Sequence, residues 1–300
     1  MTVQERFDAL ANLPFEISAS SKERRNGSLH SLREVLGRRE MLALFIRRDL
    51  KSRYKDSALG FVWTLIRPLT QLFIYYVVMG KFLGAERGIP DFAVYVFTGL
   101  TLYGLFGEII SSSTASIVGN SGLIKKVYMP RELFPLASVG SALFNFGIQM
   151  IILIGATLVQ GIFPLSWELL YAIPSILVVL VFGTAFGLLL SAVNVYLRDI
   201  QYLVEVVLLV LLWGSPIVYA WDQAARVLKG TWLLEIYTDN PITLAVLGFQ
   251  RAIWVHGDEA VGYPDNLLLR LVIAFVIGCG LLVVFQRVFS RLQGNFAQEL

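Results

Sequence analysis

Long apolar stretches separated by short polar segments dominate the hydrophobicity pattern of this chain. A helix that crosses a membrane needs about 20 mostly apolar residues, and six stretches meet that requirement. They cover approximately residues 61–83, 92–112, 134–160, 170–195, 202–221 and 267–286. The pattern therefore predicts an all-α integral membrane protein with six transmembrane helices, built as one membrane domain over residues 59–300.

A seventh apolar stretch, residues 242–254, is too short to cross a membrane. Asn240 and Pro241 precede it, and these residue types are typical of a helix N-cap and of the first helical position. We therefore predict a short helix that begins at this point without spanning. It belongs to a set of short re-entrant helices between the fifth and sixth spans.

Residues 38–58, which precede the first span, have the pattern of an amphipathic helix. Leu42, Ile46 and Leu50 recur every four residues, and Arg47 and Lys51 form a second row. Such a helix is typical of the membrane interface. The alternative is a surface helix of a soluble domain, but the chain leaves no soluble domain large enough to hold one. Residues 1–37 are polar and are predicted to form a cytoplasmic N-terminal extension.

Composition supports the membrane interpretation. Hydrophobic residues make up 56% of the 300 residues and charged residues 16%, against about 45–50% and about 25% in ordinary soluble domains. The mean hydropathy is +0.66. Lysine and arginine concentrate before the first span, in the 121–136 and 194–200 loops and in the C-terminal tail, so we expect both termini on the cytoplasmic side of the cell membrane.

Residue types that carry out chemistry are scarce. The chain has no phosphate-binding loop of the GxxxxGK[ST] type, so we do not expect it to hydrolyse ATP. Cys279 is the single cysteine, and His30 and His256 lack metal-ligand spacing. We predict no catalytic residue, no metal site, no nucleic-acid partner and no enzyme activity. Glu108 and Glu205 are placed near span ends, and this scarcity of intramembrane charge argues against an ion-gradient carrier.

Arg67 and Pro68 interrupt the first span. Pro68 is predicted to lie in the first turns of the helix, where a missing backbone donor costs little. Arg67 can then reach the membrane interface by extending its side chain towards water. In that position it acts as a topology anchor or as a contact for an anionic substrate group.

Two cytoplasmic loops combine charge with apolar side chains. "SGLIKKVYMPRELFPL", residues 121–136, places Tyr128, Met129 and Leu133 where a solvated loop does not need them, and "NVYLRDI" forms the turn at 194–200. Exposed apolar groups beside charges favour docking of another protein, although a solvated basic loop is the alternative. The candidate docking residues are Lys125, Lys126, Tyr128, Met129, Arg131, Glu132, Arg198 and Asp199.

Aromatic residues are frequent in the spans and at their ends. Each is explained either by core packing and interfacial belts or by a conduit in which aromatic rings stack on sugar faces. The candidate path residues are Tyr75, Tyr76, Tyr95, Tyr103, Trp213 and Tyr219, together with Arg67. Gly183, Gly187 and Ser191 recur every four residues, and this spacing predicts close approach of a second helix.

Four stretches, residues 48–69, 123–136, 194–219 and 240–254, resemble the membrane subunits of type-2 ABC exporters that move lipid-linked polysaccharides such as O-antigen, teichoic acid, capsule or galactan. The resemblance implies a homodimer that docks two copies of a separate ATP-binding subunit, which carries the ATP and magnesium. It assigns 121–133 as the main coupling helix and 196–201 as a second contact. It also places the conduit along the first and fifth spans.

The function implied is outward export of a polyprenyl-diphosphate-linked polysaccharide, with Arg67 close to the lipid diphosphate. Two alternatives remain open from the residues alone. The same scaffold could export a drug or a small lipid, or the chain could be a stand-alone carrier driven by an ion gradient. Residues 1–37 have no counterpart in the family pattern.

Overall fold

A computed structural model describes residues 39–54, 62–82, 84, 88–127, 129–159, 161, 166–254 and 262–300. The elements in these ranges are all helical, which confirms the all-α class. The α-helices are α1 Arg39–Tyr54, α2 Val62–Ile74, α3 Phe92–Gly119, α4 Ser121–Ile124, α5 Leu133–Val159, α6 Ala172–Tyr196, α7 Ile200–Trp213, α8 Trp221–Leu228, α9 Leu233–Thr238, α10 Pro241–Ile253, α11 Leu267–Leu292 and α12 Phe296–Glu299. A π-helical segment, Tyr75–Phe82, continues α2, and the 3-10 turn Trp167–Tyr171 leads into α6.

Five described helical segments are long and apolar enough to cross a membrane. They are Val62–Phe82, Phe92–Gly119, Leu133–Val159, Trp167–Tyr196 and Leu267–Asn295. The fifth predicted span, 202–221, is shorter than expected because α7 has only 14 residues and ends at Trp213. At 1.5 Å per residue it is about 21 Å long, against a hydrocarbon core of about 30 Å. An irregular segment at 214–220 replaces its last turns.

The long helix α3 lies at the centre of the bundle, in contact with α5, α6, α7 and α10. Its packing against α6 depends on small residues. A Cβ atom at Gly187 would lie 2.9 Å from Cβ of Ser113, and one at Gly183 would lie 3.0 Å from the Ile109 side chain. The close helix approach predicted from the four-residue spacing is therefore confirmed.

The short helix α10 begins where the sequence predicted. The Asn240 side chain accepts a hydrogen bond of 2.9 Å from the Ile242 backbone N–H, and Pro241 occupies the first turn. Trp254, directly after the helix, donates a hydrogen bond of 2.9 Å from Nε1 to the Pro90 carbonyl. Asp239, just before it, pairs with Arg270 at the start of α11. Both ends of α10 therefore lie at the same end of the bundle, and the helix does not cross it.

The helix α1 covers Arg39–Tyr54 of the predicted amphipathic segment 38–58, and its apolar side contacts protein. Ile46 packs so closely on Gly140 of α5 that a Cβ atom there would lie within 2.8 Å of the isoleucine Cγ1. Phe45 is 8% exposed, and its ring centroid lies 5.3 Å from that of Phe134. The helix is therefore held against α5 along this stripe. The proposed N-terminal extension, 1–37, lies outside the described residues.

Pro68 is the seventh residue of α2 and lies in its second turn, within the predicted first turns. It is nevertheless beyond the four backbone N–H groups that lack a partner at a helix start, so it removes a backbone donor from the helix interior. Farther along, Tyr75–Phe82 forms π-helical turns, a geometry that is rare in helices. The second part of the first span is consequently π-helical, whereas its first part, Val62–Ile74, is α-helical.

The contacts between elements define two ends of the bundle. The basic end carries α1, residues 120–127 and 129–132, the turn at 197–199 and α12. The opposite end carries residues 88–91, the 3-10 turn at 167–171, residues 214–240 and the 262–266 loop.

Candidate substrate path and docking surface

Four charged residues of the two predicted docking loops lie on the surface of the basic end. Lys125 and Lys126 are exposed immediately after α4, and Arg198 and Asp199 are exposed between α6 and α7. Val127, 46% exposed, is the apolar side chain that this segment does present. Cationic side chains beside an apolar one suit a protein-docking surface.

Phe296 of α12 lies between the two loops. The Arg131 guanidinium carbon is 5.6 Å from the Phe296 ring centroid, and the Tyr196 ring centroid is 6.2 Å from it. Tyr196 also donates a hydrogen bond of 2.8 Å to the Leu292 carbonyl. The C-terminal helix thus joins both loops to α11. Sequence reasoning missed this element, although the phenylalanine in an otherwise polar tail was its signal.

Two of the candidate docking residues, and Leu133 beside them, contact the subunit's own core. Leu133 is fully buried, Met129 packs against the apolar cluster at the basic end, and Glu132 is 3% exposed. Glu132 and Leu133 are therefore covered within the subunit itself, whereas Met129 is partly exposed. Tyr128 lies outside the described residues.

A polar contact connects α1 to the start of the main docking loop. Arg48 donates a hydrogen bond of 2.9 Å from Nη2 to Oδ1 of Asn120, and the asparagine donates one of 2.7 Å from Nδ2 to the Ser116 carbonyl. The Arg48 guanidinium carbon also lies 4.7 Å from the Phe45 ring centroid. These contacts join α1 to the start of the main docking loop.

Two of the candidate path residues belong to the core. Tyr95 is 1% exposed, its hydroxyl lies 3.0 Å from the Pro216 carbonyl oxygen and 2.9 Å from that of Tyr219, and its ring packs edge-on against Trp254. Tyr103, also buried, donates a hydrogen bond to the Leu208 carbonyl of α7. In this structure both hold α7 and the following segment to α3 and do not line a path.

The other aromatic candidates are more accessible. Tyr75 is partly buried against the core, whereas Tyr76 and Trp213 are 38% and 51% exposed. Tyr219 donates a hydrogen bond of 2.9 Å to the Trp213 carbonyl and receives one of 3.2 Å from Tyr237. Burial and this hydrogen bond raise the pKa of Tyr237. The side chain of Arg67 lies outside the described part of the chain.

The α2 span and α7 are the least enclosed apolar helices. In the most apolar 18 residues of Val62–Phe82 none of the described side chains is buried. In α7 Val204 alone is buried. These are the first and fifth predicted spans. Their outer faces are available to lipid or to a second subunit.

Glu108 occupies a different position from the one the sequence suggested. It is the seventeenth of the 28 residues of α3 and so lies near the middle of that span, not near its end. Asn145 of α5 donates a hydrogen bond of 2.6 Å from Nδ2 to Oε1 of Glu108. Ionisable residues at this depth are costly and usually have a polar partner. Asn145, a polar residue in the third predicted span, was the sequence feature that could have indicated this contact.

Comparison with known proteins gives the family. The protein-family model described as ABC-2 type transporter matches residues 40–254, which is more than half of the chain. The chain belongs to the ABC-2 type transporter family. Its members are transport components, so this ABC-2 chain is not an enzyme subunit. The match begins inside α1 and ends directly after α10.

Individual relatives of the ABC-2 chain share most of its length. It is 28% identical over 263 residues to the O-antigen export system permease protein RfbA of Klebsiella pneumoniae, covering 87% of this chain and 95% of the relative. It is 27% identical to the RfbA permease of Myxococcus xanthus, covering 90% and 98%. The polysialic acid transport protein KpsM of Escherichia coli is 31% identical over 83 residues, which is 27% of this chain and 31% of that protein.

Proposed function

We propose that this ABC-2 chain is the membrane subunit of an ATP-driven exporter that moves a polyprenyl-diphosphate-linked cell-surface polysaccharide outward across the inner or plasma membrane. The observation that carries the proposal is the nearly full-length similarity to two permeases of O-antigen export systems. The shorter similarity to a polysialic acid transport protein points to the same class of cargo.

The subunit acts as a homodimer with two copies of an ATP-binding subunit, which hold the ATP and magnesium. The basic end faces the cytoplasm, in agreement with the lysine and arginine distribution. Lys125, Lys126 and Arg198 are exposed there, and the contacts of Phe296 link their loops. Movements of the partner therefore reach α11 and, through Arg48, α1.

The glycan path runs along the α2 span and α7 of the two copies. These helices present exposed aromatic side chains, Tyr76 and Trp213, on faces that the subunit itself does not cover. Aromatic rings contact sugar faces without forming strong hydrogen bonds to the hydroxyl groups, so a long glycan chain can slide past them. Arg67, near the start of α2, is the candidate contact for the lipid diphosphate, since a guanidinium binds such groups in bidentate fashion.

A depletion strain tests the proposal. Loss of this chain should remove the surface polysaccharide and cause lipid-linked glycan to accumulate in the cytoplasmic leaflet, measured by extraction and gel analysis. Expression of the parent chain from a plasmid should restore both. Normal surface glycan in the depleted strain contradicts the proposal, and drug sensitivity with normal glycan would favour a small-molecule cargo instead.

A further inference from the structure

A cavity of about 550 Å³ lies at the opposite end of the bundle. Its walls come from Tyr171 in the 3-10 turn, Arg251 near the end of α10, the loop at 262–266 and the first turn of α11. Small-molecule sites are typically cavities of about 300–1,000 Å³. Three separate parts of the chain therefore build an open pocket of ligand size away from the docking surface.

One wall of the cavity is fixed by Arg251. Its Nε and Nη2 atoms both lie 3.2 Å from Oε1 of Glu168. Its guanidinium carbon lies 4.8 Å from the ring centroid of Tyr171 and 5.5 Å from that of Tyr263. The ion pair and the two rings hold one another in place, so this wall is formed before any ligand arrives.

The rim carries two polar side chains that are not used by the fold. Asp265 and Asn266 are exposed, and their side chains form no hydrogen bond or ion pair with another residue in the described ranges. Asn266 has φ 55° and ψ 38°, the left-handed conformation that directs the chain into α11. A carboxylate and a carboxamide are thereby presented next to each other at the cavity.

The chemistry of the cavity favours a sugar unit over other ligands. A carboxylate accepts hydrogen bonds from hydroxyl groups, a carboxamide both donates and accepts, and tyrosine rings contact the apolar face of a pyranose. An anion is disfavoured because Glu168 already neutralises Arg251 and Asp265 adds negative charge. An alkyl chain is disfavoured because polar groups would lose water without gaining partners.

We propose that this cavity is a saccharide-binding subsite, which receives a sugar unit of the glycan as it leaves the opposite end. The inference rests on the proposed export function and extends it, because it places a contact for the cargo beyond the α2 and α7 path. Binding there would bias a chain that has crossed against sliding back.

Direct binding tests the subsite. The probe is a fluorescently labelled oligosaccharide released by mild acid from the host's own lipid-linked polysaccharide, titrated onto the full chain in nanodiscs and followed by anisotropy. Asp265→Ala and Tyr263→Ala should each weaken binding about tenfold, as expected for loss of one principal polar or ring contact. Trp232→Ala, an exposed aromatic at the same end outside the cavity, should leave binding unchanged.

Several results would overturn the subsite. The first is that the probe does not bind the parent chain. The second is that Asp265→Ala binds the probe as tightly as the parent does. The third is that native mass spectrometry shows a tightly bound phospholipid on the parent but not on the variants, while the variants still bind the probe. The last result assigns the cavity to lipid. Complementation of the depletion strain tests the export function separately. If the parent restores surface glycan while the cavity variants bind the probe normally, the subsite is wrong and the export function stands.

Discussion

Gln286 of α11 donates a hydrogen bond of 3.2 Å from Nε2 to Oε1 of Glu132, 154 positions earlier in the chain. Ser290, one helical turn after Gln286, lies 3.2 Å from the same carboxylate oxygen through its Oγ. The carboxylate is 3% exposed, so it is a buried acceptor for groups on another helix. This contact fixes the end of the main docking loop to the last span.

Glu132→Ala should therefore lower stability. The substitution leaves the buried Gln286 and the partly buried Ser290 without this acceptor, which costs about 1–3 kcal/mol. Thermal unfolding in detergent, followed by reaction of a thiol dye with the single Cys279, measures the loss. Lys125→Ala, a few residues away on the exposed surface, should unfold like the parent, and equal unfolding temperatures for all three proteins would contradict the assigned role of Glu132.

Charge reversal on the docking surface should weaken association without altering the fold. Lys125→Glu together with Lys126→Glu should reduce binding of the ATP-binding subunit about tenfold at low salt, because complementary charge governs such encounters. The matched control is Arg226→Glu with Lys229→Glu, an exposed basic pair at the opposite end. Co-purification and ATPase stimulation measure the effect, and an equal loss with the control pair would contradict docking at the basic end.

Five of the six predicted spans and the start of α10 were readable from the sequence because they depend on local composition. Asn240 caps its helix through its own side chain, and the spacing of Gly183 and Gly187 specifies a helix contact regardless of the partner. Such features can be predicted from residues that are close together along the chain. The length of α7 could not be predicted from the sequence, because the apolar residues after Trp213 form an irregular segment that the Tyr95 hydroxyl holds in place.

The candidate site was harder to predict because exposure depends on contacts that are distant in sequence. Glu132 and Lys125 look alike as charged loop residues, yet α11 covers the first and leaves the second exposed. Tyr95 and Tyr76 are both tyrosines in spans, but Tyr95 is enclosed by α10 and the 214–220 segment. The roles of Arg67 and of the two-copy path stay predictions, since they involve a side chain outside the described part and a second subunit.

Gly187→Val should strongly reduce the amount of folded protein. A Cβ atom at this position would lie 2.9 Å from Cβ of Ser113, so α3 and α6 must separate, at a cost of about 1–3 kcal/mol or more. The control is Gly280→Val in α11, where a Cβ atom meets nothing within 4 Å. Monodisperse yield by fluorescence-detected size exclusion distinguishes them, and equal yields would contradict the close α3–α6 contact.

Tyr237 should make stability fall at high pH. Its pKa is raised in the folded protein by burial and by the hydrogen bond to Tyr219, whereas an unfolded tyrosine ionises near pH 10. Above that pH the unfolded state has lost the proton that the folded state keeps, so unfolding becomes more favourable as pH rises. The unfolding free energy of the parent minus that of Tyr237→Phe should decline by about 1.4 kcal/mol per pH unit. A difference that stays constant from pH 9 to 11 would argue against the raised pKa.

Arg270 should restrain α9 against the last span. Its Nη1 atom lies 2.5 Å from Asp239 Oδ1 and 3.2 Å from Glu235 Oε2, while its Nε donates to the Asp265 carbonyl at 3.1 Å. A single exposed ion pair contributes about 0–1 kcal/mol, but one guanidinium that binds two carboxylates connects α9 to α11. Loss of this connection should release α9 without unfolding the bundle.

Hydrogen exchange measures that release. In Arg270→Gln the amides of Leu233–Thr238 should exchange about fivefold faster, the factor that corresponds to about 1 kcal/mol, while those of α3 stay protected. Arg226→Gln removes an exposed pair with Asp222 inside α8 alone and should leave exchange in α9 unchanged. Faster exchange throughout the bundle in Arg270→Gln would show a general loss of stability, and unchanged exchange in α9 would show that its packing, not Arg270, holds it to the last span.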